Sequence, residues 1–158
     1  MPTPTYTLID SVTLASSASS VTFSSLDTIA AGYRDLVLVV TGTASTNTFY
    51  RFRFNSDSTN TNYTYVQMIG TGTDALSAAV NDANAGSLTT AESNSLIQIM
   101  DFAQTDKHKS YLYRNNFTSV RAAAGRWSNT AAITSIQLAI NTGTFNAGST
   151  LSIYGIAA

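Results

Sequence analysis

The chain has 158 residues; Thr, Ser and Asn (24, 20 and 12 residues) make up 35% of it, while charged residues supply only 11%. With 44% apolar residues it is too hydrophobic for the disordered class, and its length suits one domain. The lack of cysteine excludes disulfide frameworks, thiolate zinc sites and thiol nucleophiles, and a net charge of −1 without runs of either sign argues against nucleic acid or an anionic membrane as partner.

The opening stretch MPTPTYTLID has no basic region followed by an apolar run, and no segment approaches the ~20 apolar residues of a membrane span, so a soluble chain is expected. One Glu (Glu92) and two Lys (Lys107, Lys109) cannot clothe long helices, and Ser, Thr and Asn favour turns and strands. An all-β protein is expected.

In chain order, apolar residues at Tyr6, Leu8, Val12 and Leu14 predict a first strand with Thr7, Ser11 and Thr13 toward water. Val21 to Leu26 predicts a short second strand. Leu36 to Val40 is continuously apolar, as in a central strand covered on both faces, and Gly42 ends it. Tyr50, Phe52 and Phe54 alternate with Arg51 and Arg53, which places the aromatics inside and the arginines outside. Tyr63 to Ile69 is a strand, and Gly70 to Thr90, poor in large apolar residues, reads as a long loop. Leu96 to Phe102, Lys109 to Phe117, Val120 to Trp127, Ile133 to Ile140 and Leu151 to Ile156 supply the remaining strands. About ten strands without a convincing helix fit an antiparallel β-sandwich or jelly roll, with residues 1–5 as an extended arm and 6–158 as the sandwich domain.

The inventory for chemistry is thin. His108, the only histidine, sits in the charged turn TDKHK with no nucleophile signature near it, and the eight aspartates are dispersed. Asn55 to Asn60 alternates oxygen ligands but lacks the glycine and distal Glu of a calcium loop, so a turn is the better reading. There is no Gly-Lys phosphate loop; no catalytic residue, metal or cofactor is assigned. Binding is better served. Tyr113, Arg114, Arg121, Arg126 and Trp127 lie close together in sequence and are of the types that protein interfaces favour, and Pro2 and Pro4 suit an arm offered to a neighbour. Two readings of the cluster stand: an interface or sugar-stacking platform, or a core Trp127 among solvated arginines.

The blocks VTFSSL, YRDLVLVV, FRFNSDSTNTNY, LIQIMDF, GRWSNTAAITSIQLAI and GTFNAGSTLSIYGI, in that order, resemble a family of small β-sandwich proteins found among the virion structural genes of tailed phages. Tyr33 to Leu36, Arg53 to Asn55 and Ala147 to Ile156 carry most of the likeness, which runs over nearly the whole chain. The resemblance implies a non-enzymatic component of the virion surface, made in the host cytoplasm. Its implied role is head decoration (a cement protein): a homo-oligomer, commonly a trimer, seated on the major capsid protein or another virion subunit. The alternative it leaves open is a tail-fibre or tailspike module that binds host-surface glycan or protein.

Overall fold

Alternation of bulky apolar and short polar residues produces β1 (Tyr6–Thr13), β2 (Ser20–Phe23), β3 (Tyr33–Gly42), β4 (Thr48–Phe54), β5 (Tyr63–Gly70) and β6 (Ala75–Val80). They are followed by β7 (Asn84–Leu88), β8 (Ser93–Met100), β9 (Lys109–Asn116), β10 (Val120–Trp127), β11 (Ile136–Ile140) and β12 (Thr150–Ala157). The computed structural model describes residues 4–157. Every strand pairing among them is antiparallel, in an eight-stranded sheet of order β1-β12-β3-β8-β9-β10-β5-β6 and a four-stranded sheet of order β2-β11-β4-β7. The fold is an all-β sandwich, as expected.

The two strands beyond the expected ten fall in the segment read as a loop. Residues 75–80 and 84–88 are strands, and the reason they were illegible differs between them. β6 is an edge strand of small residues that runs in unbroken register along β5. β7 is buried at every position, and its Ala85, Gly86 and Ser87 are small because they lie between the sheets. The second strand, expected to reach Leu26, stops at Phe23. Ser25 takes a left-handed conformation (φ 57°), and Leu26–Ile29 makes one helical turn that buries Leu26. In β1 a bulge between Leu8 and Asp10 shifts the alternation. Tyr6 and Leu8 therefore face out, and Ile9 and Val12, with Leu14 beyond the strand, pack on the core.

The core is an aromatic layer between the sheets. Phe52 stacks on Phe54 (centroids 4.6 Å apart) and meets Tyr111 edge-on at 4.6 Å, while Trp127 packs against Phe54 at 5.5 Å and Tyr63 at 6.3 Å. Each phenol in the layer needs a polar partner: the Tyr63 hydroxyl donates to the Asp57 carbonyl and accepts from the Phe54 N–H, and the Tyr111 hydroxyl donates to the Thr64 carbonyl. Burial pushes the Tyr63 and Tyr111 phenols far above their usual pKa, so both stay neutral. At the other end of the layer, Asn115 fastens the sheets together. Its side-chain amide donates to the Ser87 carbonyl (3.0 Å) and its oxygen accepts from the Ser87 N–H (3.1 Å), so it satisfies the inner backbone of β7 as a neighbouring strand would.

Two outcomes follow from this packing. The Tyr111 ring lies across Gly125, where a methyl group would collide with it; Gly125→Ala is expected to lose about 1–3 kcal/mol in urea unfolding. Asn115→Ala, which orphans both Ser87 groups, is expected to lose about 2–4 kcal/mol in the same measurement. Wild-type stability in either variant would contradict the packing described.

Candidate interaction surface

The residues expected to form an interface separate on folding, because alternate residues of a strand face opposite ways. On β9 and β10, Tyr113 and Trp127 point between the sheets and are each 1% exposed; both are core, with no surface left for a partner or a sugar ring. Arg114 and Arg126 point to the opposite face of the eight-stranded sheet and are exposed. Arg121 shares the inward phase of Trp127 but lies near the sheet's end, where its guanidinium sits 5.7 Å from the Phe117 ring centroid. Pro2 lies outside the described residues, and Pro4 is exposed just before β1.

Trp127 is held by a carboxylate. Its indole N–H donates to Asp57 Oδ2 at 2.8 Å, Asn62 donates to the same oxygen at 2.8 Å, and the Thr59 N–H donates to Oδ1 at 2.9 Å. The oxygen-rich turn read against calcium is thus a clasp closed over the core tryptophan. Partial burial works to raise the Asp57 pKa, but the donors from Trp127, Asn62 and Thr59 outweigh it and hold the carboxyl below its ordinary value.

The other polar clusters are equally occupied. Asp35, 2% exposed, accepts two bonds from Arg34 (3.2 and 2.9 Å), one from the Asp101 N–H (3.0 Å) and one from Gln98 (3.4 Å). Burial alone would raise its pKa; those donors together keep it low. A carboxylate so held is a poor proton donor near neutral pH. The buried Lys109 amine donates to the carbonyls of Lys107 and Thr130, both at 3.0 Å, and so ties the turn that carries exposed His108 to the segment after β10. Burial lowers its pKa against the pull of Asp106 and Asp101. Among the described residues, no three His, Asp or Glu side chains gather where a metal could sit.

The outer face of the eight-stranded sheet is where the structure adds most to the sequence. At the Thr13 end of β1 and the Thr150 end of β12 it is hydroxylic: Ser11 meets Ser152 at 2.8 Å, and Thr13 meets Thr150 at 3.2 Å. Toward β6 it turns apolar. One row of directly paired residues runs from Leu8 through Val37, Gln98 and Leu112 to Val66 and Ala79; the next holds Val39, Leu96, Arg114, Ala122, Met68 and Ser77. Met68 and Val120 are 67% and 68% exposed, and Val66, Leu96 and Leu112 are also open to solvent. Shallow troughs of about 610 and 560 Å³ lie along this floor, the first bordered by Met100, Leu112 and Arg126, the second by Leu96, Met68 and Arg114. Arg114 and Arg126 form no ion pair among the described residues.

These apolar positions were missed because each sits in a strand that also has an apolar or aromatic inner face. In YTYVQMI the large rings Tyr63 and Tyr65 fix the inward phase, so Gln67 is buried and Met68 exposed. That inversion, polar inside and apolar outside, was the available signal.

No family model and no curated protein matches the chain. A solved structure similar to it is an exo-inulinase from Aspergillus awamori: 12% of residues are identical, the likeness covers 96% of this chain and 29% of that one, and the TM-score is 0.43. Among the described residues, no helix is long and apolar enough to cross a membrane.

The Asp57 clasp gives a pH dependence of known sign. A carboxyl with a lowered folded-state pKa contributes stability above its unfolded value of about 3.9, and that contribution is lost as pH falls through the folded-state pKa. Urea unfolding of the wild type should lose stability as pH falls from about 4 toward 2, and Asp57→Asn should be less stable at neutral pH with a shallower acid loss. An identical acid slope in the variant would remove Asp57 from this role.

Proposed function

We propose that the chain is a non-enzymatic structural protein of a phage virion, most specifically a decoration protein that sits on the outside of the head and bridges neighbouring subunits. The observation that supports this reading best is the apolar floor around Arg114. Exposed apolar surface of this extent, studded with unpaired guanidinium groups, suits a macromolecular partner that brings apolar side chains and carboxylates, such as a capsid subunit. A shell under internal pressure gains stability when a rigid module spans its joints, because modest contacts repeat by symmetry. Short hydroxyl side chains add to this by losing few rotamers when pinned in a contact.

A tail-fibre module for host glycan draws less support. The features that favour it are a long polar loop at 70–90 and the supply of Tyr and Trp side chains; the first contains two strands, and Tyr113 and Trp127 are in the core.

Purified protein added to heads that lack it should bind to a fixed ratio and raise their melting temperature. Met68→Asp and Leu112→Asp should weaken that binding on the order of tenfold or more while leaving the protein's own unfolding midpoint nearly unchanged, as both side chains are exposed. Failure to bind, or unimpaired binding by both variants, would remove the basis of the proposal.

A further inference from the structure

We infer that β6 is a pairing edge for a second copy of the chain, joined antiparallel to the partner's β6 across a twofold axis at Ser77. The inference stands apart from the head-binding reading and rests on how the sheet edges are protected.

A sheet edge presents unpaired N–H and C=O groups, and monomeric proteins guard such edges with bulges, charges, prolines or short strands. Of the four edges in this sandwich, three are guarded. β1 carries the bulge at Leu8/Asp10, and the Asp10 carboxylate folds back onto the Ser11 N–H at 2.8 Å. β2 has only four residues. β7 is buried, and Asn115 occupies the Ser87 backbone. β6 has none of these devices. Its sequence ALSAAV lacks charge, Pro and Gly, its register with β5 is unbroken, and among the described residues its backbone makes no hydrogen bond outside that ladder.

The occupant follows from self-complementarity. Six uncharged residues paired antiparallel to themselves bring no like charges together, and a twofold contact of this kind uses one patch on both copies and closes at two. Side-chain size chooses the register. An axis at Ser77 sets Leu76 opposite the partner's Ala78, a large residue against a small one on one face, and Asp74 opposite the partner's uncharged Val80. Asp82 does not bear on the choice, since it lies beyond the strand and its carboxylate is held by Arg51 at 2.7 and 3.1 Å. The apolar rows end on this strand, at Ser77 and Ala79, so pairing would extend one floor across both copies.

Light scattering at about 100 µM should give twice the 16.7 kDa mass of the chain, a concentration at which even a micromolar contact is populated. Oxidised Ser77→Cys should run as a covalent dimer, because directly opposed residues have the Cα separation a disulfide needs. Ser110→Cys, exposed on the same sheet face but away from the edge, should not. Ser77→Lys should weaken association on the order of tenfold or more with an unchanged far-ultraviolet spectrum. A monomeric wild type, or a dimer indifferent to Ser77→Lys, overturns the inference. A trimer also overturns it, and does so without touching the head-binding proposal, which fails separately if heads are not bound.

Discussion

The fold depends on a mismatch in width: eight strands are covered on one side by four. Sheets pack about 10 Å apart, and here the gap is filled by rings projecting from β4 on one side and from β5, β9 and β10 on the other. β4, flanked by β11 and β7, sets its aromatics over β9, β10 and β5 of the wide sheet. β7 meets the wide sheet with Ala85, Gly86 and Ser87, and the closeness that these residues permit is what brings Asn115 within reach of their backbone. One consequence is architectural. The wide sheet has a second face that no other element covers among the described residues.

Four polar groups inside the sandwich end on backbone or on one another in ways that fix register, whereas the Tyr50 hydroxyl and Arg121 Nε have no partner among the described residues. Asn115 substitutes for a strand at β7, Asp57 closes a turn over Trp127, Asp35 holds the start of the turn after β8, and Lys109 links that turn to the segment after β10. Burying such groups without partners would cost several kcal/mol each, and with partners they mark a single alignment of strands. Their hydrogen-bonding capacity is directed at the chain itself, which is why the functional weight moves to the exterior.

Much of this was legible beforehand where side-chain size alternates strongly. Tyr50, Phe52 and Phe54 against Arg51 and Arg53 gave one face and one phase, and the observed β4 follows both. Leu36 to Val40 read as a central strand, and β3 lies between β12 and β8, with Val37 shielded between Tyr154 and Gln98 on the outer side. Legibility failed where size carried no contrast. Residues 70–90 offer only Leu76, Val80 and Leu88 as large apolar residues, so a buried strand and an edge strand looked alike and both looked like loop. It failed differently for Tyr113 and Trp127. Residue type suggested an interface, but partners two strands away decided which face the rings took, and those partners are not visible in a local window.

The abundance of Thr, Ser and Asn acquires a location from the same geometry. Hydroxyls pair at the Thr13 end of β1 and the Thr150 end of β12 on the outer face, while apolar side chains line the rows that run from Leu8 and Val39 across to β5. Hydroxylic and apolar side chains thus occupy separate patches of one face. A random scatter of exposed apolar side chains would call for no explanation. A contiguous one does, because apolar side chains gathered around Arg114 would gain hydrophobic free energy if covered. Arg114 adds a condition: a guanidinium covered without a carboxylate is costly, so a surface that covered this floor would have to supply one there.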